Sequence, residues 1–418
     1  MGKYLIHMKF FARLLFVTFL IFTSCKLQKL ETFDYENPVD TSTKKIQYQN
    51  KKTYQLGNVY ADNLFDGARL NNFEKINDSI FRATILPENE PINASPHYGF
   101  HIWSSEIRDI YLQLYYPTAK HRYWPKYSLD DKNWYRLDST QVNLIKGDSL
   151  VELKIQLSPK KMKIAAQEIR NSAYVRSWVN KQASNRDVKY KTIGKSKLNR
   201  DLMMLEIGSG LAEEKEVILL FSRQHPPEVT GYLAIEAFVE ELLKDNRLAN
   251  NFRAKYRILV FPLLNPDGVD LGHWRHTAGG IDLNRDWAYY RQPEAKIVAN
   301  YIIDYVNENS NNVILGIDFH STFNDLYYTL QDDMRSKIYP FKDYWMIGVD
   351  KGLPNYTPHD IPGALGPFTK GWFYNQFNAS SMTYEIGDET PRDFIRLKAE
   401  VAAREMMKLL ILKNYDKD

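Results

Sequence analysis

One change of rhythm, near Pro159, constrains this chain of 418 residues more than any other feature. Before it, Val151, Leu153, Ile155 and Leu157 stand between Glu152, Lys154 and Gln156, the period of two expected of a half-buried strand. Similar short runs at Tyr98 to Trp103 and Ile110 to Tyr116 are separated by Pro, Asn and Asp clusters, which predicts an all-β sandwich over residues 53–158. After it, short and largely apolar runs, Val217 to Phe221, Ile258 to Phe261, Val313 to Ile317 and Met382 to Ile386, alternate with helical patterns. Leu233, Ala237, Phe238 and Leu242 share one helix face, and Ile395, Ala399, Ala402, Met406 and Leu409 another. That rhythm predicts an α/β domain over residues 159–418. There is no internal repeat and no low-complexity tract.

The first residues read as an address. Lys3, Lys9 and Arg13 precede the apolar run Leu14 to Phe22, and the small residues Thr23-Ser24 follow, which is the outline of an export signal over residues 1–24. The apolar stretch is shorter than the ~20 residues that a spanning helix needs. Cys25 is the single cysteine of the chain and stands where a bacterial lipoprotein signal places its acylated residue. The expectation is an exported protein, lipid-anchored through Cys25 at a bacterial membrane on its periplasmic or cell-surface side, with residues 25–52 as a polar linker. A lone cysteine excludes disulfides within the chain. The net charge of +4 includes the three cations of the leader, and no basic stripe is present, which excludes a nucleic-acid protein. With 44% hydrophobic and 25% charged residues the chain is excluded from the disordered class.

The chemistry-bearing residues stand at strand ends. His225-Pro226-Pro227-Glu228 follows the run Val217 to Phe221, at the carboxyl end of a strand, where open α/β sheets place their sites. An imidazole and a carboxylate three residues apart suit one metal ion, and His320, in Ile317-Asp318-Phe319-His320-Ser321, ends another apolar strand as a candidate third ligand. Three protein ligands leave a position open for water, as in catalytic zinc sites. Asn265-Pro266-Asp267-Gly268-Val269 reads as a turn. Arg275, then Asn284 and Arg285, offer donors suited to a carboxylate and a developing oxyanion. Glu385 interrupts the apolar strand Met382 to Ile386, and a general base explains a half-buried carboxylate there.

The motifs H-x-x-E, N-P-D-G-V, G-x-x-R, D-x-N-R, D-x-H and T-x-E, in this order, resemble the zinc metallocarboxypeptidase (funnelin) family. The chain is most similar to the cytosolic, tubulin-deglutamylating type, whose β-sandwich precedes the catalytic domain; Pro96 to Trp103 resembles part of that sandwich. The resemblance covers most of residues 50–410, and Gly194-Lys195-Ser196 with Arg200-Asp201-Leu202 resembles the family's first strands. It implies a mixed-sheet α/β/α catalytic domain holding one Zn2+ per chain on His225, Glu228 and His320. It also implies that Arg275 polarises the scissile carbonyl, that Asn284 and Arg285 hold the substrate's terminal carboxylate, and that Glu385 is general base and acid. Asp282 matches the carboxylate that orients the first histidine by accepting its other ring N–H.

The implied function is hydrolysis of C-terminal peptide bonds outside the cytoplasm, on peptides with a free C-terminal carboxylate. The stem peptide of peptidoglycan is an alternative substrate, and an inactive lipoprotein that captures glycan or peptide is the alternative of another class. Pro227 replaces a glycine of the cytosolic type and His273-Trp274 replaces its Asn-His; neither change removes a ligand. The family's substrate-capping tyrosine has two candidates, Tyr356 and Tyr374. Lys370, fifteen positions before Glu385, falls at the family's specificity position, where a lysine favours an acidic side chain; solvent is the more usual place for a lysine. A serine-hydrolase elbow G-x-S-x-G is absent, and Gly208-Ser209-Gly210 is only a fragment of a dinucleotide fingerprint. His97, His101, His121, His276 and His359 lack ligand spacing and are expected to be structural or exposed.

Overall fold

The computed structural model describes residues 27–36, 39–145 and 147–412, so the expected leader and Cys25 lie outside the described residues. Alternation decides the first half. In β10 (Leu150–Leu157), Val151, Leu153, Ile155 and Leu157 are buried while Lys154 and Gln156 are exposed. Its antiparallel partner β6 (Arg108–Tyr115) sets Leu112 opposite Leu153 and Ile110 opposite Ile155, so apolar pairs line one face. Around them run β1 (Thr53–Leu56), β2 (Val59–Asp62), β3 (Asn72–Lys75), β4 (Ile80–Thr84), β5 (Gly99–Ser104), β7 (Lys126–Ser128), β8 (Tyr135–Arg136), β9 (Val142–Ile145) and β11 (Met162–Ala165). They form a six-stranded sheet, β1-β2-β5-β11-β7-β8, and a five-stranded sheet, β3-β4-β6-β10-β9. Phe100, Ile102 and Ile164 of the first sheet join Ile110, Leu112, Val151 and Leu153 of the second in one buried cluster, which makes the region a β-sandwich.

The sandwich runs past the break expected at Pro159. β11 pairs with both β5 and β7, so the change to α/β structure falls between Ala165 and α1 (Ser172–Gln182), whose cap Asn171 accepts from the Tyr174 N–H. Met162, Ile164 and Ala165 are buried, but a four-residue strand is too short to show a period. Nor is the stretch before Lys52 a free linker. Leu30 and Phe33 pack against the second half of the protein, and the Gln28 and Glu31 N–H groups donate to Asn307 Oδ1 at 2.7 Å and Gln376 Oε1 at 3.0 Å. Two apolar residues and a set of hydrogen bonds to Asn307 and Gln376 dock it.

The second half is built on an eight-stranded mixed sheet. Its strands are β12 (Val188–Lys195), β13 (Asp201–Ile207), β14 (Glu216–Ser222), β15 (Tyr256–Phe261), β16 (Asn312–Thr322), β17 (Leu326–Thr329), β18 (Asp360–Pro362) and β19 (Ser380–Gly387), in the order β12-β13-β15-β14-β16-β19-β17-β18. The central four, β15-β14-β16-β19, are parallel and buried on both faces. Ile218 and Leu220 point into a cluster with α1, α2 (Val229–Leu242), α3 (Arg247–Lys255), α6 (Phe341–Gly352) and α8 (Arg392–Leu412). Val217, Leu219 and Phe221 point the other way, onto α5 (Pro293–Glu308) and α7 (Thr369–Phe377). Helices on both faces of a mixed sheet give the α/β/α arrangement, and the carboxyl ends of β14, β16 and β19 end side by side.

Candidate metal centre and active site

His225 and Glu228 sit in the turn between β14 and α2, and Glu228 occupies the N-cap of α2, at the positive end of the helix dipole. Pro226 and Pro227 between them fix φ and donate no hydrogen bond, which keeps the turn stiff. Gly231, in the first turn of α2, lies so close to β16 that a Cβ there would meet the His320 carbonyl oxygen at 2.4 Å. Only glycine lets the helix end approach the strand that carries His320. Ser321 completes the join, accepting from Thr230 Oγ1 at 2.7 Å and the Gly231 N–H at 2.9 Å.

The three candidate ligands converge. His225 Nδ1 is 2.8 Å from Glu228 Oε1 and His320 Nδ1 is 2.7 Å from Glu228 Oε2. One donor atom from each of the three lies within 4.8 Å of the others, and all three residues are buried. Each ring's other nitrogen faces a carboxylate: His225 Nε2 is 2.9 Å from Asp282 Oδ1, and His320 Nε2 is 2.7 Å from Asp318 Oδ2. Two Nδ1 atoms and a carboxylate on one point, with both rings oriented from behind, fit a zinc ion with an open position. Burial opposes ionisation of Glu228 and of Asp282, yet His225 and His320 hold the first well below the usual carboxylate range, and Arg275 with His225 does so for the second.

The other expected residues surround the same pocket, which has a volume of about 350 Å³ and is lined by Arg275, Asn284, Arg285 and Glu385 as well as the ligands. Arg275 Nε donates to Asp282 Oδ2 at 2.6 Å, so one aspartate holds both this arginine and His225. Asn284 Oδ1 accepts the Thr369 N–H at 3.1 Å, which leaves its amide as a donor, and Arg285 donates to the Asn284 carbonyl at 2.7 Å. Glu385 stands beside His320 in the register of β16 and β19, about 4.8 Å between strands. Burial pushes its carboxyl up to about 8, and its Oε2 is buried without a hydrogen-bond partner.

Some residues stand elsewhere than expected. Lys370 is buried, not solvated: its Nζ donates to the Thr329 carbonyl at 2.6 Å and the Gly363 carbonyl at 3.0 Å, it lines the pocket, and burial lowers its pKa to about 8. Neither Tyr356 nor Tyr374 lines the pocket, whereas Tyr328 does. Asn265-Pro266-Asp267-Gly268 is a helix start rather than a turn, with Asn265 capping α4 (Pro266–Leu271) and Pro266 in its first turn. Asn265 Nδ2 also holds the Gln224 carbonyl at 3.0 Å, just before His225.

Sequence reasoning included Asp318 in the D-x-H motif but gave it no role, although an Asp-x-His spacing in a strand puts both side chains on one face. It missed Gln224, which donates to Asp318 at 2.6 Å, and Arg122 and Asn93, which reach the pocket from the sandwich.

Comparisons with known proteins bear on the family and the fold. Residues 175–344 match the zinc carboxypeptidase family, whose members use zinc. Cytosolic carboxypeptidase 6 of Caenorhabditis elegans is 29% identical over 154 residues, 34% of this chain and 33% of that protein. The mouse protein of that name is 32% identical over 136 residues, 31% of this chain and 25% of its own length. The chain thus spans about a third or less of these curated relatives. A metallo-carboxypeptidase from Burkholderia cenocepacia superposes with a TM-score of 0.69 at 17% identity, over 84% of this chain and 98% of that one. One from Pseudomonas aeruginosa, in complex with (2-guanidinoethylmercapto)succinic acid, gives 0.66 at 17% identity, over 84% and 99%. At such identities these two solved structures bear on the fold alone, and they extend its likeness over both halves of the chain. The sequence match over residues 175–344, with the His-Glu-His cluster at the carboxyl end of the central strands, makes this part of the chain similar to a zinc carboxypeptidase domain.

Proposed function

We propose that this protein is a zinc carboxypeptidase that removes C-terminal residues from peptides, acting outside the cytoplasm from a lipid anchor on Cys25. The observation that carries the activity is the buried, unpartnered carboxyl of Glu385 beside the His225, Glu228 and His320 cluster, in a pocket that also holds Arg275, Asn284 and Arg285. When bound, zinc supplies a Lewis acid that polarises a carbonyl oxygen and makes water acidic enough to ionise near neutral pH. The residues of the chain do the rest. Asn284 and Arg285 bind the terminal carboxylate of the substrate and so place its last peptide bond at the cluster. Arg275, held by Asp282, aims its remaining donors at the carbonyl oxygen as charge develops there. Glu385 takes a proton from the attacking water and returns it to the leaving amine as the C–N bond breaks.

Lys370 supports a preference for acidic terminal residues, because it sets a buried ammonium, with Asp360 as its acidic neighbour, in the pocket wall where a substrate carboxylate would meet it. The test is mass spectrometry of peptides ending in Glu, Lys or Phe, with a cell-wall stem peptide in parallel. Single-residue release by the wild type, fastest from Glu, is expected, and Lys370→Met should erase the preference for Glu, about tenfold or more. Release from none of these peptides sinks the proposal. The anchor rests on the residue pattern before Cys25 and is tested separately: Cys25→Ser should move the expressed protein from the membrane fraction to the soluble one, and an unchanged distribution removes that part.

A further inference from the structure

The loop that carries Arg275 is held from the sandwich as well as from its own domain. Glu88, in the connection between β4 and β5, is completely buried, and its carboxylate accepts three successive backbone N–H groups. Oε2 takes Trp274 at 2.8 Å, and Oε1 takes Arg275 at 3.0 Å and His276 at 2.6 Å. Burial opposes its charge, but the Arg69 guanidinium and the backbone N–H of His276 help hold its carboxyl below the usual range. The same connection supplies Asn89, whose Oδ1 is 2.7 Å from His276 Nδ1 and whose amide donates to the Gly280 carbonyl at 2.9 Å. Trp274 inserts its ring in the core of the sandwich and donates Nε1 to the His97 carbonyl at 3.1 Å. Arg275 is therefore gripped at both ends, its backbone by Glu88 and its guanidinium by Asp282 at 2.6 Å.

We infer that Glu88 is a positioning residue for the reaction: it sets the backbone of Arg275, and the sandwich is by this contact part of the active site. The inference rests on the proposed carboxypeptidase activity and on the role of Arg275 in it. Glu88 is one of several links between the two halves, since Arg122 also pairs with Asp388 at 2.8 Å and Lys126 with Glu389 at 2.9 Å. A carboxylate buried among backbone donors is a costly way to fill space, and it earns that cost only by fixing the atoms that it binds.

The test uses the zinc-loaded full chain as wild type, Glu88→Gln, Glu88→Ala, Arg275→Ala and the double variant Glu88→Ala/Arg275→Ala. Steady-state kinetics, zinc content and amide hydrogen exchange of the peptide spanning residues 273–277 are read on each. Loss of Glu88 should lower kcat on the order of 100-fold with KM within about threefold of wild type and zinc retained, because the arginine meets the carbonyl oxygen mainly in the transition state. Exchange in the 273–277 peptide should quicken, and in the Arg275→Ala background the Glu88 change should cost little more. Glu88→Gln keeps the shape and one acceptor oxygen, so it should fall between, and it serves if Glu88→Ala does not fold. Unchanged kcat in Glu88→Gln despite faster exchange overturns the inference. So does a fully additive double variant, or a loss of activity that only follows loss of zinc. A wild type that releases no residue overturns the carboxypeptidase reading itself, a result distinct from any of these.

Discussion

Glu385→Gln is expected to bind zinc as the wild type does and to lose at least about 1000-fold in kcat. The amide has the shape of the carboxyl but accepts no proton at any working pH, so the ligands are untouched while the base is gone. The pH profile carries the same information. Only the ionised carboxylate accepts a proton, so activity must fall as pH drops through the Glu385 pKa. Burial raises that pKa from 4.5 to about 8, and the positive charge of zinc draws it back down. The acid limb of kcat/KM should lie between these values, with unit slope. A flat profile over this range, or a Gln variant that turns over as the wild type does, would exclude Glu385 as the base.

The second large effect is on the metal. His320→Ala removes one of three buried ligands and should leave the protein without zinc after dialysis, while the wild type retains one ion per chain. Since zinc binds the folded state alone, wild type at a thousandfold excess over Kd gains about 4 kcal/mol, a rise of several degrees in Tm that a chelator reverses and that His320→Ala lacks. Asp318→Asn is the finer probe. It leaves all three ligands in place but replaces the carboxylate 2.7 Å behind His320 Nε2, and should weaken zinc binding about 10- to 100-fold. Metal-binding assays and calorimetry on the three proteins decide it: if His320→Ala holds zinc as tightly as the wild type, the cluster is not the metal site.

What the residue order could settle is whatever depends on near neighbours. The period of two in Leu150–Leu157 and the short apolar runs ending in His or Glu follow from where side chains point in a strand, so the sandwich, the α/β half and the residues at the strand ends were readable in advance. His225 and Glu228, three apart before a helix, belong to the same class. The short β11 strand and the Asn-Pro start of α4 misled because four residues show no period, and the residues that cap a helix also make turns.

What only the tertiary structure decided involves atoms far apart in the chain. Glu88 meets the Arg275 backbone across 187 residues, and no local pattern marks a glutamate that will bind three N–H groups in another domain. Lys370 is buried because the carbonyls of Thr329 and Gly363 happen to solvate its ammonium, against the ordinary preference of lysine for water. The order of residues thus determined which candidate groups stand at the strand ends, since residue type and spacing are local. Folding determined how rigidly each is held, since orientation comes from buried hydrogen bonds whose two ends share no neighbourhood in sequence.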